Sequence, residues 1–316
     1  MIKNELLKVK IAKLYYQNDL SKMEIGEKLR ISRLKVAGLL EKAVEDGIVK
    51  IIINEPKESF IDLENELEKR FKINHAIVVE TSIDYESTKK NIGKAAANYL
   101  SDTISDNDVI GVAWGSTTYE AVNYLPDKIN RKNVTVVQIT GGSSQVPINI
   151  NASELTRRIS EKFNAKSYFL HAPIVVNSKE ARDILYEESG IKNTLDMFDK
   201  INLAIVGIGV TNPEPLSILY RDGFIKKEDF NKEISFDCIG DINSYFYNRD
   251  GSESYIIFRD RVMGMNLEQL KKVRYVMAVA GGENKADAII GAMKGRIISI
   301  IVTDNKTAEA ILSKSK

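Results

Sequence analysis

The chain of 316 residues is 43% hydrophobic and 28% charged with a net charge of +1, a balance that suits a soluble globular protein with room for more than one domain. No apolar run approaches the roughly 20 residues that span a bilayer, and the start MIKNELLKVK has no apolar h-region, so the expected compartment is the cytoplasm, with no membrane partner. Cys238 stands alone, which excludes an intramolecular disulfide and a cysteine-rich zinc module; no metal and no cofactor is expected. Residues 1–56 carry 11 Lys+Arg against 8 Asp+Glu, a net of +3, and the remainder carries −2, so a basic head precedes a slightly acidic body.

Leu6, Leu7, Ile11 and Leu14 recur at helical spacing and predict a first amphipathic helix, broken at Asn18-Asp19. Ser21 with Glu24 has the capping-box pattern and opens a second helix to about Leu29 that buries Ile25 and Leu29. Arg30-Ile31 makes a short turn. Ser32 then caps a third helix carrying Val36, Leu39, Leu40 and Ala43, which Gly47 ends. Val49, Ile51 and Ile53 alternate as a strand or small wing would. A plain three-helix bundle with a solvated basic face fits the amphipathic pattern alone. The order of cap, turn, second cap and wing points instead to a winged helix-turn-helix, whose second helix enters the major groove of DNA. Ser32, Arg33 and Lys35 are the exposed residues at its start, and their groups suit phosphate oxygens and guanine edges.

The polar segment Asn54–Ser59, with Pro56, marks a boundary: residues 1–54 form the DNA-binding domain, 55–60 a linker, and 61–316 a second domain. Leu63, Leu67 and Phe71 lie on one face of a charged helix that suits either its own domain or a second subunit. From residue 75 short Val/Ile-rich runs alternate with helical stretches. The runs are Ala76–Val79, Val109–Val112, Val134–Ile139, Leu203–Ile208, Tyr275–Ala280 and Ile297–Val302, with helices around Ile92–Leu100 and Ala286–Met293. Continuous apolar strands between helices are the signature of an α/β domain with a mostly parallel sheet covered on both faces.

Four of these strands end in glycine-rich loops: Gly111–Thr118, Thr140-Gly141-Gly142-Ser143-Ser144, Gly207-Ile208-Gly209 and Gly281–Lys285. Ligands of open parallel sheets bind beyond the carboxyl ends of the strands. Gly115-Ser116-Thr117-Thr118 precedes a helix whose free backbone N–H groups suit an anion. Gly207-Ile208-Gly209 lacks the third glycine of a dinucleotide fingerprint and by itself reads as an ordinary tight turn. Lys285 falls in the first turn of a helix, where a cation costs about 0.3–1 kcal/mol, a sign that an anionic ligand reverses; a solvated lysine balanced by Asp287 is the plain alternative. Asp241 suits sugar hydroxyls or, equally, a turn bonded to its own backbone. His75 and His171 sit among apolar residues and read as structural, Trp114 as core, and the tyrosines and Arg249 around 244–251 as a possible rim.

Taken together, Leu14-Tyr15-Tyr16, Ile31-Ser32-Arg33, Gly47-Ile48-Val49, Trp114-Gly115-Ser116-Thr117, Gly141-Gly142, Ala172-Pro173, Val206–Gly209, Gly240-Asp241-Ile242, Gly281-Gly282 with Lys285, and Thr303-Asp304 resemble the SorC family of sugar-binding transcriptional regulators over nearly the whole chain. The resemblance implies an effector domain similar to sugar-phosphate isomerases and deaminases that senses its ligand without turnover, so the chain is not expected to be an enzyme. It further implies a phosphorylated sugar held by Gly115–Thr118, Thr140–Ser144, Asp241 and Lys285, assembly as a dimer or tetramer, and palindromic operator DNA as partner. Two positions depart from the family. Ala37-Gly38 stands where a small residue and an arginine are frequent, so operator contacts should differ. Thr140 stands where some members carry a lysine able to form a Schiff base, which argues against a covalent effector. The reading is therefore a regulator of a carbohydrate operon, with either repression or activation open. A sugar-phosphate isomerase or deaminase with an appended helical domain is the alternative; its chemistry needs a positioned general base, and Asp241 is the one acid with a reason to be at the site.

Overall fold

The computed structural model describes residues 2–52, 59–144, 146–211, 237–254 and 257–315. Residues 53–58, which include Ile53 and most of the expected linker, lie outside these. The chain divides into two compact units, Met1–Ser59 and Phe60–Lys316.

The first unit is built from α1 (Ile2–Tyr16), α2 (Lys22–Leu29) and α3 (Arg33–Glu45). Ser21 accepts the Glu24 N–H and Glu24 reaches back to the Ser21 N–H, which satisfies two of the donors that a helix start leaves free. Arg30 takes the left-handed conformation and closes α2. Ser32 then caps α3 by accepting the Lys35 N–H at 3.2 Å. Ile11, Ile25, Val36 and Leu40 form the core of this unit, with Leu7, Leu14, Leu29, Leu39 and Val49 packed around them. Gly26 lets α2 meet the turn: a Cβ there would lie 2.7 Å from the Ile31 carbonyl oxygen. Leu6, expected on the inner face, is exposed. The expected wing has no strand among residues 49–52; Val49 packs inward, but Ile51 and Ile52 are exposed and find no pairing partner among the described residues of this unit.

The second unit starts with α4 (Ile61–Phe71), followed by β1 (His75–Val79), α5 (Tyr85–Thr103), β2 (Val109–Val112), α6 (Ser116–Asn123), β3 (Thr135–Gln138), α7 (Ala152–Phe163), β4 (Lys166–Tyr168), α8 (Lys179–Glu187) and α9 (Ser189–Leu195). It continues with β5 (Leu203–Val206), β6 (Gly209–Val210), β7 (Cys238–Ile242), β8 (Tyr245–Asn248), α10 (Leu267–Leu270), β9 (Tyr275–Val279), α11 (Ala286–Lys294), β10 (Ile300–Asp304) and α12 (Asn305–Lys314). The main sheet has the order β1-β10-β9-β5-β2-β3-β4, every pairing parallel. Alternate residues of each strand face opposite layers. On β5, Leu203 and Ile205 join the layer of α5, α6 and α7, while Ala204 and Val206 join the layer of α4, α11 and α12. This two-sided burial explains the unbroken apolar runs. From β2 the chain moves out through β3 to β4, then returns to β5 on the other side and continues to β9. The boundary between β2 and β5 is therefore a topological switch point, the position at which open α/β sheets form a crevice.

Two parts were not expected. One is the short edge strand β4; the other is a small antiparallel sheet of order β6-β7-β8. β7 and β8 are joined by Asn243 and Ser244, both at positive φ, a two-residue hairpin of the type that matches strand twist.

α5 and α6 pack at very close range because Gly93 has no side chain. A Cβ there would stand 2.4 Å from the Glu120 Cβ and 2.6 Å from its backbone carbon. Gly93→Ala is expected to lower stability by about 1–3 kcal/mol, since one helix must move to admit the methyl group; urea unfolding of the full chain measures the loss.

Candidate functional site: an effector cavity and a basic helix start

The strands with glycine-rich loops, β9, β5, β2 and β3, are neighbours in the sheet. Over the switch point lies a cavity of about 310 Å³ whose lining includes Trp114, Gly115, Ser116, Thr117, Thr118, Gly209, Asp241, Asn243, Lys89 and Lys285. Its size is at the lower end of small-molecule sites. Gly115 starts α6 without a side-chain cap, so the first backbone N–H groups of the helix have no partner from a capping residue. Together with the helix dipole, these donors favour an anion. Thr117 and Thr118 are buried there, while Ser116 is exposed.

Asp241 lies on β7 opposite Gly209, not in a turn. A Cβ on Gly209 would stand 2.0 Å from Asp241 Oδ1, so the glycine makes room for the carboxylate. Burial pushes the Asp241 carboxyl up to about 6, against the opposing pull of the Ser244 backbone N–H and the Lys285 charge. Lys285 immediately precedes α11, and its Nζ donates to the Ile208 carbonyl oxygen at 2.8 Å. Burial pushes its ammonium down to about 8, opposed by Asp241 and reinforced by the Lys89 charge. Asp287 does not balance Lys285: its carboxylate pairs with Lys314 at 2.8 Å.

Within the lining, Thr118 Oγ1, Asp241 Oδ1 and Asn243 Oδ1 are buried without a hydrogen-bond partner among the described residues. Buried polar atoms are nearly always satisfied, and leaving one unmade costs about 1–3 kcal/mol. Three such atoms on one cavity wall, with two lysines, make a surface suited to a hydroxylated anion.

Some expected site residues lie elsewhere. Thr140 is fully buried and forms an isolated bridge with Gly264, and its carbonyl oxygen accepts the Gln138 amide at 2.8 Å. Gly141 passes so close to the Ala172-Pro173 segment that a Cβ would meet the Pro173 oxygen at 2.3 Å. The reason is pairing: Gly142 donates to Ala172 and accepts from Ile174, which extends the backbone ladder beyond β3. Gly142, Ser143 and Ser144 line a second cavity of about 340 Å³ with Asn151, Ser153 and His171. Gly281 lines neither cavity; a Cβ there would collide with Ile92 and Asp304. Asp304 accepts hydrogen bonds from Thr81, the Gly282 N–H and Thr307, and so ties the Gly281-Gly282 turn to the start of α12. Its carboxyl is held below the usual range, because these bonds outweigh the upward push of burial.

Trp114 is part of the cavity wall and also packs on the core. His75 is held by Glu68 at 2.8 Å. Tyr245 and Tyr247 are buried, Tyr247 donating to the Ala288 oxygen at 2.9 Å, and Arg249 is exposed away from the lining. None of these three forms a rim. Lys89 and Asn243 belong to the cavity although the sequence did not single them out, and Gly209 lines it although its loop by itself reads as an ordinary tight turn.

In the first unit, Ser32, Arg33 and Lys35 are exposed at the start of α3. The Ser32 hydroxyl is engaged as the cap.

The family described as "Putative sugar-binding domain" matches residues 55–313. The chain is 31% identical to the deoxyribonucleoside regulator of Bacillus subtilis, covering 97% of each chain. It is 30% identical to the transcriptional regulator LsrR of an Enterobacter species, covering 98% of this chain and 93% of that one. Its fold matches the full-length sorbitol operon regulator SorC of Klebsiella pneumoniae with a TM-score of 0.76 at 28% identity, over 98% of this chain and 99% of that one. The matched regions include the helix-turn-helix and the cavity-bearing sheet, and on this ground the chain belongs to the SorC family of sugar-binding transcriptional regulators.

Proposed function

We propose that this chain regulates transcription of a carbohydrate operon by binding a palindromic operator as a cytoplasmic homo-oligomer, and that a phosphorylated sugar in the β2/β5 cavity sets its operator affinity. The observation that carries the reading is the cavity wall itself, lined by Lys285, by Lys89 (paired with Glu86 at 2.7 Å), by the open start of α6 and by oxygens of Asp241, Asn243 and Thr118 that have no hydrogen-bond partner among the described residues. The cationic groups and the helix start suit a phosphate, and the buried oxygens suit sugar hydroxyls. Because Lys285 contacts the loop after β5 and Asp241 lies in the small sheet, a ligand touching both ties together three elements of the unit. Differential contacts of this kind are the source of allosteric coupling, typically about 1–3 kcal/mol or 5–150-fold in affinity.

Thermal unfolding of the full chain against a panel of sugar phosphates, each paired with its unphosphorylated sugar, tests the ligand class. A ligand at 100 times its dissociation constant adds about 2.7 kcal/mol of stability. A midpoint raised by phosphorylated sugars alone supports the reading. A panel with no shift, or an equal shift from the bare sugar, contradicts it.

The DNA-binding half rests on Arg33 and Lys35 at the start of α3. Arg33→Ala is expected to weaken operator binding by about 1–3 kcal/mol if Arg33 reads a base, or to reduce the salt slope by about one counterion if it holds a phosphate. Binding isotherms at several salt concentrations separate the two, and an unchanged isotherm series removes Arg33 from the interface.

A further inference from the structure

The outward ridge of α3 carries a feature that the unit's own packing does not explain. Val36, Leu40 and Ala43 mark the buried side of the helix. At about 100° per residue, Leu34 and Gly38 fall diametrically opposite, one turn apart on the same ridge. Leu34 is 84% exposed. A Cβ on Gly38 would meet nothing within 4 Å. Glycine within a helix lowers stability relative to alanine, and nothing among the described residues of this unit requires it here. Gly26 shows the contrast, since its missing side chain makes way for the α2–α3 turn.

The charges around the ridge fix its polarity. Arg33 and Lys35 flank Leu34 in the first turn, whereas further along the exposed side Glu41 and Glu45 outnumber Lys42. A phosphate backbone therefore favours the first half of α3, with two cations and no acid, over the second, so the helix meets DNA by its first two turns, the usual approach of a recognition helix. Within the major groove the apolar group presented by a base pair is the thymine C5-methyl.

We propose that Leu34 and Gly38 form a reading notch in which Leu34 packs on a thymine methyl of the operator half-site, and the bare Gly38 backbone lets the helix settle close to the base edges. This rests on the DNA-binding reading of α3 and adds to it a specificity-determining pair and a sequence preference. Gly38 offers no side chain of its own, so contact at that point depends on shape.

The test selects a duplex for the full chain from a random library, then replaces each thymine of one half-site singly by deoxyuridine, which removes only the methyl group. One thymine in the half-site is expected to lose about fourfold in affinity, the worth of one buried methyl group. Leu34→Ala is expected to bind thymine and deoxyuridine equally at that position and to keep its unfolding midpoint. Gly38→Ala is expected to weaken the selected duplex by about tenfold or more while its unfolding midpoint stays level or rises, an opposition that a purely structural glycine would not produce. A flat deoxyuridine scan, a Leu34→Ala protein that still senses the methyl, or a Gly38→Ala protein with unchanged affinity overturns the notch. If Leu34→Ala leaves DNA binding intact and instead disrupts self-association, Leu34 serves a protein contact and the proposal fails. If no duplex is selected at all, the DNA-binding reading fails first and the notch with it; selection of a duplex that depends on Arg33 but gives a flat scan removes the notch alone.

Discussion

Replacing Lys285 with methionine is expected to remove about half to nine-tenths of the stabilisation that a phosphorylated sugar at 100 times its wild-type dissociation constant gives the chain. Lys285 presents a part-buried ammonium on the cavity wall, its Nζ fixed by the Ile208 carbonyl. Burial makes that charge costly, as its lowered value of about 8 records, and an anion alongside recovers the cost. A hydrogen bond to a charged group is worth about 1.5–3 kcal/mol, so the substitution weakens ligand binding by roughly 10- to 150-fold. Methionine keeps the stem volume, and the loss then reports the charge and not a cavity. Isothermal titration measures the affinity directly. The substitution has a second readout: Lys285 helps to hold the Asp241 carboxyl down, so without it Asp241 takes up its proton at a still higher pH. A Lys285→Met protein that is stabilised by the same phosphorylated sugar as strongly as wild type would place the anion elsewhere.

The second large effect is a pH dependence of the unliganded chain. Asp241 titrates at about 6 in the fold against an ordinary value of 3.8, so the folded chain holds this proton more tightly than the unfolded one. Its contribution to stability is fully present below about 4 and is lost as pH rises through 6. Lys285 titrates at about 8 against an ordinary 10.5, so the folded chain holds its proton less tightly. Its destabilising contribution is present below 8 and is relieved as pH rises towards 10.5. Between about 6 and 8 both groups are charged in a poorly solvated wall, and their joint contribution is at its minimum there. Asp241→Asn removes the acid limb: the variant is expected to be more stable than wild type near pH 7, to lose the fall between 4 and 6, and to bind the phosphorylated sugar at least tenfold more weakly if the carboxylate accepts sugar hydroxyls. Urea midpoints from pH 4 to 9 with a constant m value measure this. Parallel profiles for wild type and Asp241→Asn would show that the carboxyl does not carry the dependence.

The helix-turn-helix was legible because its signals are local. Ser21, Glu24 and Ser32 act on donors three residues away, and the structure uses them so. The parallel sheet was legible from runs such as Leu203–Val206, which have no polar side because both faces are covered. The convergence of the glycine-rich loops was also visible, but the role of each glycine was not. Gly115 and Gly209 open the cavity, whereas Gly141 and Gly281 answer to close passages of Pro173 and Asp304, chain segments distant in sequence. Such long-range contacts leave no local mark. Asn243 was missed for the same reason, since the small sheet that places it joins β6 to β7 across residues 211–237. Lys89 did leave a signal: it shares a helical face with Ile92, Gly93 and Ala96, and a lysine on the buried side of an amphipathic helix asks for a partner. The alternation of Val49 and Ile51 suggested a strand, yet period-two spacing over so few residues also fits an exposed extended segment, as residues 49–52 show.

If one chain couples sugar-phosphate binding to operator binding, the coupling is reciprocal. The direct measurement is the affinity of the full chain for its selected operator at fixed salt, titrated with the sugar phosphate that most stabilises the fold. The expected result is a saturable change of about 5–150-fold, the same factor in sugar affinity when the operator is bound, and a shift of the titration to higher sugar concentration in Lys285→Met with sugar-free operator binding retained. Operator affinity that stays constant at saturating sugar phosphate, while the fold is plainly stabilised by it, would contradict the account.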